Sequence, residues 1–156
     1  MPSPPSAGRE RVHGTCVALE GGGVLLLGPS GAGKSDLALR LIDSGARLVG
    51  DDCIELAREG DHLVASLPTS APRGLRGRLE VRGIGIVPVR SRARVRLGLV
   101  VELRPDGPIE RQPGPSFYTC LGVRVPLVVL DPFTASAAAK VRLAVHTLPG
   151  HIIPPP

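Results

Sequence analysis

Residues 28–35 read Gly-Pro-Ser-Gly-Ala-Gly-Lys-Ser, and sixteen positions after Ser35 two carboxylates, Asp51 and Asp52, stand side by side. The pattern G-x-x-x-x-G-K-[ST] is one that cradles a polyphosphate. Glycines let successive backbone N–H groups turn inward, and the start of a following helix adds partial positive charge at the same point. In that arrangement Gly28, Pro29, Ser30, Gly31, Ala32 and Gly33 form the cradle, Lys34 reaches the β and γ phosphates of ATP, and Ser35 offers its hydroxyl to Mg²⁺. The paired aspartates supply what a phosphate donor alone lacks. One carboxylate can orient the metal or its waters and the other can take a proton from an attacking hydroxyl; residue type alone does not say which, and an acidic turn would carry the same pair.

The elements around these groups meet the structural condition for the loop. Val24–Leu27 is a short apolar run that reads as a buried strand, and from Lys34 onward Leu37, Ala38, Leu41 and Ile42 recur at helical spacing until Gly45 stops the helix. Val12–Leu19 reads as one strand, the glycines at 21–23 as a tight turn, and Ala46–Gly50 as a further buried strand whose end presents Asp51 and Asp52. CIELA and HLVASL flank REGD as a hairpin, Val95–Leu103 and Val123–Leu130 are strand-like, and Thr134–Leu148 is the expected closing helix, ended by Pro149 and Gly150. The expected fold is therefore α/β, a P-loop (Walker A) domain with a mixed β-sheet packed by helices.

With 156 residues the chain has room for one core. Residues 11–150 are expected to form the domain, with loose Pro-rich tails at 1–10 and 151–156. Tryptophan is absent and the aromatics are Phe117, Tyr118 and Phe133, so the core must be aliphatic. Three separated cysteines suggest neither a disulfide framework nor a zinc site, and no apolar run approaches a membrane span; a cytoplasmic protein with no membrane partner is expected. Of 17 arginines, eight fall between Arg73 and Arg96, which is either a solvated face or a surface for phosphate groups or an acidic partner. Nucleic acid is not expected there, because the run lacks interleaved aromatics. His13 taken alone is a structural or surface histidine, and Glu80 and Arg82 fall on one face of the extended stretch LEVRGIGI, residues 79–86.

HGTCVAL from His13, the loop GPSGAGKS, RLVGDD and LEVRGIGI together resemble, in order and spacing, the catalytic domain of bacterial HPr kinase/phosphorylase, over residues 12 to about 130. The resemblance implies His13, Lys34 and Asp52 as catalytic, with Asp52 the proton acceptor from a serine of the phosphocarrier protein HPr and Asp51 its support. It implies Ser35 and Glu80 as Mg²⁺ ligands, Arg82 as catalytic, and Arg111, in IERQP, as a further catalytic arginine. It also implies ATP and Mg²⁺ as cofactors, HPr as partner and a homohexamer. The chain resembles the short form found in alphaproteobacteria, without an added N-terminal domain. The R-P-G-R-N loop used for phosphorolysis is not evident, and LDPFTASAAAK, which includes Lys140, stands in the equivalent stretch. Two other readings share the loop: a small-molecule kinase, which needs a lid and an enclosed acceptor pocket, and a non-catalytic nucleotide-dependent binding module docking a partner on the arginine face.

Overall fold

Alternation of apolar side chains across the central strands divides them between two cores, and the backbone order follows from that division. A computed structural model of the chain describes residues 8–148. Its strands are β1 (Arg9–His13), β2 (Thr15–Leu19), β3 (Gly22–Leu27), β4 (Arg47–Gly50), β5 (Cys53–Glu59), β6 (His62–Ser66), β7 (Arg78–Val81), β8 (Gly85–Pro88), β9 (Arg94–Leu103), β10 (Phe117–Cys120) and β11 (Val123–Leu130). The helices are α1 (Lys34–Asp43) and α2 (Ala137–Thr147), with one 3-10 turn at Arg73–Leu75. Nine strands form one mixed sheet in the order β1-β5-β6-β9-β3-β2-β4, with β11 parallel to β9 and β10 antiparallel to β11; β7 and β8 form a separate hairpin.

Val17, Val24, Leu26, Leu99 and Val101 point to one face, where Leu37, Ala38 and Leu41 of α1 and Ala137, Val141 and Val145 of α2 cover them. Cys16, Leu25 and Val100 point to the other. There the sheet curls back on itself and Ile54, Leu56, Leu63, Ala65, Val123 and Val125 close the second cluster. Strand β9 serves both. Its pairing with β3 skips Gly98, so that Gly23 faces Leu97 and Val24 faces Leu99; this extra residue moves the odd-numbered side chains from the second cluster (Val95, Leu97) to the first (Leu99, Val101, Leu103).

Helix α1 ends as its sequence predicts: Gly45, at φ 112°, turns the chain, and the N–H groups of Gly45 and Ala46 bond the carbonyls of Ile42 and Leu41. The expected strand Val12–Leu19 is instead two strands broken at Gly14. His13 pairs with Cys53 of β5, whereas Thr15 pairs with Leu26 of β3, so the two halves belong to different parts of the sheet. Strand β1 also begins at Arg9, inside the stretch expected to be a tail. The tight turn expected at 21–23 falls at Glu20 and Gly21, and Gly22 and Gly23 already pair in β3. Helix α2 starts three residues later than the pattern suggests, because residues 132–136 form turns. Pro149, Gly150 and residues 151–156 lie outside the described residues. Among the described residues no helix is long and apolar enough to cross a membrane.

Candidate active site

One end of the sheet collects the chemistry. β3, β9 and β11 run parallel, and β4, antiparallel to β2 as β2 is to β3, has the same direction. Their carboxyl ends therefore open together, which is where an open α/β sheet places functional groups. The glycine-rich loop leaves β3, Asp51 and Asp52 leave β4, and the breaks before and after Gly14 bring His13 and Thr15 to the same end.

The loop enters α1 without a side-chain cap. Its N-cap residue is Gly33, at φ 93°, a left-handed conformation that favours glycine, and the first N–H groups of α1 receive no side-chain acceptor. At Gly28 a β-carbon would stand 2.9 Å from that of Ala32, so the turn requires glycine for its close approach. Beside Gly31 a β-carbon would meet nothing within 4 Å, leaving the mouth of the loop open. Lys34 is 9% exposed, and its Nζ donates to the carbonyls of Gly28 and Pro29 at 2.6 and 3.0 Å. An ammonium is thus held under the loop, next to uncapped helix donors; these are the groups a polyphosphate needs.

Asp51 is the junction between loop and sheet. Ser35 Oγ lies 3.2 Å from each of its carboxylate oxygens, and Thr15 Oγ1 donates to Oδ1 at 2.7 Å. A hydroxyl and a carboxylate in contact make a hard oxygen donor set that suits Mg²⁺, which takes one or two protein ligands and completes its shell with water and phosphate. Among the described residues no group of three or more His, Cys, Asp or Glu side chains gathers for a metal. Asp52 projects outward: its side chain is 80% exposed and its Oδ1 lies 3.3 Å from His13 Nδ1. Its backbone is at φ 79°, a conformation Asp visits more readily than most residues, and its carbonyl accepts from Gly14 N at 3.1 Å.

The structure therefore brings His13, Lys34, Ser35, Asp51 and Asp52 into one region. Glu80 and Arg82 belong to the hairpin β7–β8, whose Leu79 is buried in the cluster covered by α1; neither forms a hydrogen bond or ion pair among the described residues. Arg82 does not share a strand face with Glu80, since β7 ends at Val81 and residues 82–84 form the hairpin's turn around Gly83 at φ 89°. Arg111 sits in an irregular exposed segment and also lacks such a bond. Of the arginines between Arg73 and Arg96, Arg76, Arg78, Arg82, Arg90, Arg92, Arg94 and Arg96 are exposed, and Arg94 pairs with Glu59. Thr15 was not predicted by motif; the signal available is a hydroxyl opening the otherwise apolar strand TCVAL. A cavity of about 350 Å³, lined in part by Gly21, His62, Arg96 and Arg124, opens at the start of β3, away from these groups.

The fold that carries this site is shared with a solved structure. The fold superimposes on the Hpr(Ser) kinase/phosphatase from Coxiella burnetii with a TM-score of 0.73 and 26% sequence identity, covering 88% of this chain and 95% of that one. The family model for the HPr Serine kinase C-terminal domain matches residues 6–104, and the chain belongs to that family. That span contains every site residue above except Arg111. The HPr kinase/phosphorylase of Exiguobacterium sp. is 42% identical over 99 residues, 59% of this chain and 31% of the relative. That of Cupriavidus metallidurans is 38% identical over 136 residues, 81% of this chain and 41% of the relative. The chain spans well under half the length of these curated relatives.

Proposed function

We propose that the chain is the phosphotransfer domain of a Mg²⁺- and ATP-dependent protein kinase acting on a serine of HPr. The observation that carries this reading is the continuous set Thr15–Asp51–Ser35 beside Lys34, which couples the end of β4 to the uncapped start of α1. Membership of the HPr serine kinase family supports the acceptor.

Phosphoryl transfer asks the protein mainly for positioning and for stabilisation of charge on the transferred group. The backbone N–H groups of residues 30–33 and the Lys34 ammonium hold the triphosphate. Ser35 and Asp51 would hold Mg²⁺, which would supply positive charge against the bound phosphates. Asp52, exposed at the rim, accepts the proton of the incoming serine hydroxyl as its oxygen bonds to the γ phosphorus and the bond from that phosphorus to the bridging oxygen of ADP breaks. His13 orients the Asp52 carboxylate. Glu80 is assigned as a further metal ligand, with Arg82 and Arg111 as countercharges to the transferred phosphoryl group. In the reverse sense, inorganic phosphate would attack phosphoserine and release pyrophosphate, Asp52 returning the proton to serine. Assembly into a homo-oligomer, a hexamer by family resemblance, belongs to the same reading, as does a cytoplasmic setting.

Incubation with γ-labelled ATP, Mg²⁺ and HPr tests the assignment. Label on the HPr serine supports it. Label on a small metabolite, or nucleotide binding without turnover, would replace it with one of the two other readings of the loop.

A further inference from the structure

Phe133 stands beside the glycine-rich loop with much of its ring in solvent. It is 56% exposed, yet a β-carbon on Gly33 would lie 3.1 and 3.2 Å from its Cε1 and Cζ, and 3.1 Å from Cγ of Pro132. The ring is thus in contact with the last residue of the loop at the point where α1 begins.

Its backbone is anchored from two sides. Phe133 N donates to Asp131 Oδ1 at 3.0 Å, and Thr134 Oγ1 donates to the Asp131 carbonyl at 3.1 Å. From α1, Arg40 donates to the carbonyls of Pro132 and Thr134 while pairing with Asp36 at 3.1 Å. The turn that carries the ring is therefore fastened to the helix whose N-terminus ends the loop. Such a fixed aromatic face loses little side-chain entropy when a flat partner covers it.

Strand order decides what that partner is. At the carboxyl ends the sequence across the sheet is β4-β2-β3-β9-β11. The loop leaves β3; Asp51 and Asp52 leave β4 on one side of it, and Asp131–Phe133 leave β11 on the other. A nucleotide whose terminal phosphate is directed toward the carboxylates must extend its nucleoside toward β11.

Resting on the kinase reading above, we propose that Phe133 is the stacking platform for the nucleotide base, with its ring packed against the purine face while the loop holds the phosphates. Stacking on an aromatic side chain recognises the π-face of a base and not its hydrogen-bonding edge.

The chain contains no tryptophan, which makes the test direct. Phe133→Trp introduces a single tryptophan at the platform, excited selectively over Tyr118. Its emission should be quenched by MgATP and not by magnesium tripolyphosphate, which has the phosphates without the base. In calorimetric titration Phe133→Ala should weaken MgATP about tenfold and leave tripolyphosphate unchanged. If Phe133→Ala binds MgATP as tightly as the unaltered protein, or loses both ligands equally, the platform is overturned while the loop's role stands. If the unaltered protein binds neither ligand, the platform and the kinase reading fail together.

Discussion

Thr15 Oγ1 donates to Asp51 Oδ1 at 2.7 Å, from a threonine with no exposed surface, and so ties the first residue of β2 to the carboxylate that Ser35 also meets. A buried hydroxyl bonded to a charged acceptor contributes about 1.5–3 kcal/mol. Thr15→Val keeps the shape and removes the donor. We expect kcat/KM to fall about tenfold to a hundredfold at low magnesium, with the magnesium requirement moved upward and Thr15→Ser restoring most of the loss. A magnesium titration of the three proteins measures this; an unchanged midpoint for Thr15→Val would show that the bond only supports the fold.

Lys34 contributes a buried stem and an ammonium, which one substitution separates. Its ammonium now satisfies the carbonyls of Gly28 and Pro29, and in the proposed complex it also faces phosphate. Lys34→Ala should abolish transfer and reduce nucleotide affinity by at least about tenfold, the scale of a single charge-assisted contact. Lys34→Met, which keeps the buried stem, should be equally inactive. Activity in Lys34→Met would mean the lysine acts by packing.

Among the described residues the Asp52 side chain pairs with His13 at the rim and bonds no residue of the loop, so binding and chemistry should divide there. Asp52→Asn tolerates the same left-handed backbone and cannot accept a proton. Nucleotide affinity should stay within about twofold while transfer to HPr drops roughly a hundredfold or more, the range of general-base catalysis. Single-turnover transfer with saturating MgATP reads the difference directly, and retained transfer removes Asp52 from the proton-accepting role.

Alkaline stability should report the core beneath the site. Burial pushes the Cys16 thiol from 9.0 up to about 12. In the unfolded chain the thiol ionises from about pH 9, whereas the folded protein keeps its proton, so the unfolded state gains as pH rises. This stabilising difference is complete below pH 9 and is lost progressively between about 9 and 12, at about 1.4 kcal/mol per pH unit. Urea unfolding at pH 8 to 11 should show the decline, shallower in Cys16→Ala. An identical slope in Cys16→Ala would place the alkaline sensitivity elsewhere. Cys120, whose thiol donates to Glu10, is also raised to about 12, by burial first and that carboxylate second.

The strand and helix that frame the loop could be read from residues alone because their signals are local. The apolar run before Gly28, the spacing of Leu37, Ala38 and Leu41, and the stop at Gly45 each depend on neighbours within a few positions, and all three appear as predicted. The break at Gly14 was not legible, since the apolar pattern of 12–19 is continuous and only pairing with two distant partners, Cys53 and Leu26, divides it. Long-range pairing also hid Thr15, whose hydroxyl meets a carboxylate 36 positions away. The strand FYTC at Phe117–Cys120 is short and follows a Pro-rich segment, so it too shows only once β11 is beside it. Phe133 carried no motif; its meaning arises from the meeting of two turns.

The skipped residue Gly98 has a mechanical outcome. Because one strand crosses from the layer beneath the helices to the layer enclosed by the curled sheet, neither half can loosen its interior without pulling on the other. The molecule should melt in one concerted step, with no lobe surviving alone, and a disturbance on the curled side would be conveyed along that shared ribbon to the ends of β3 and β11, where the loop and the aromatic turn stand.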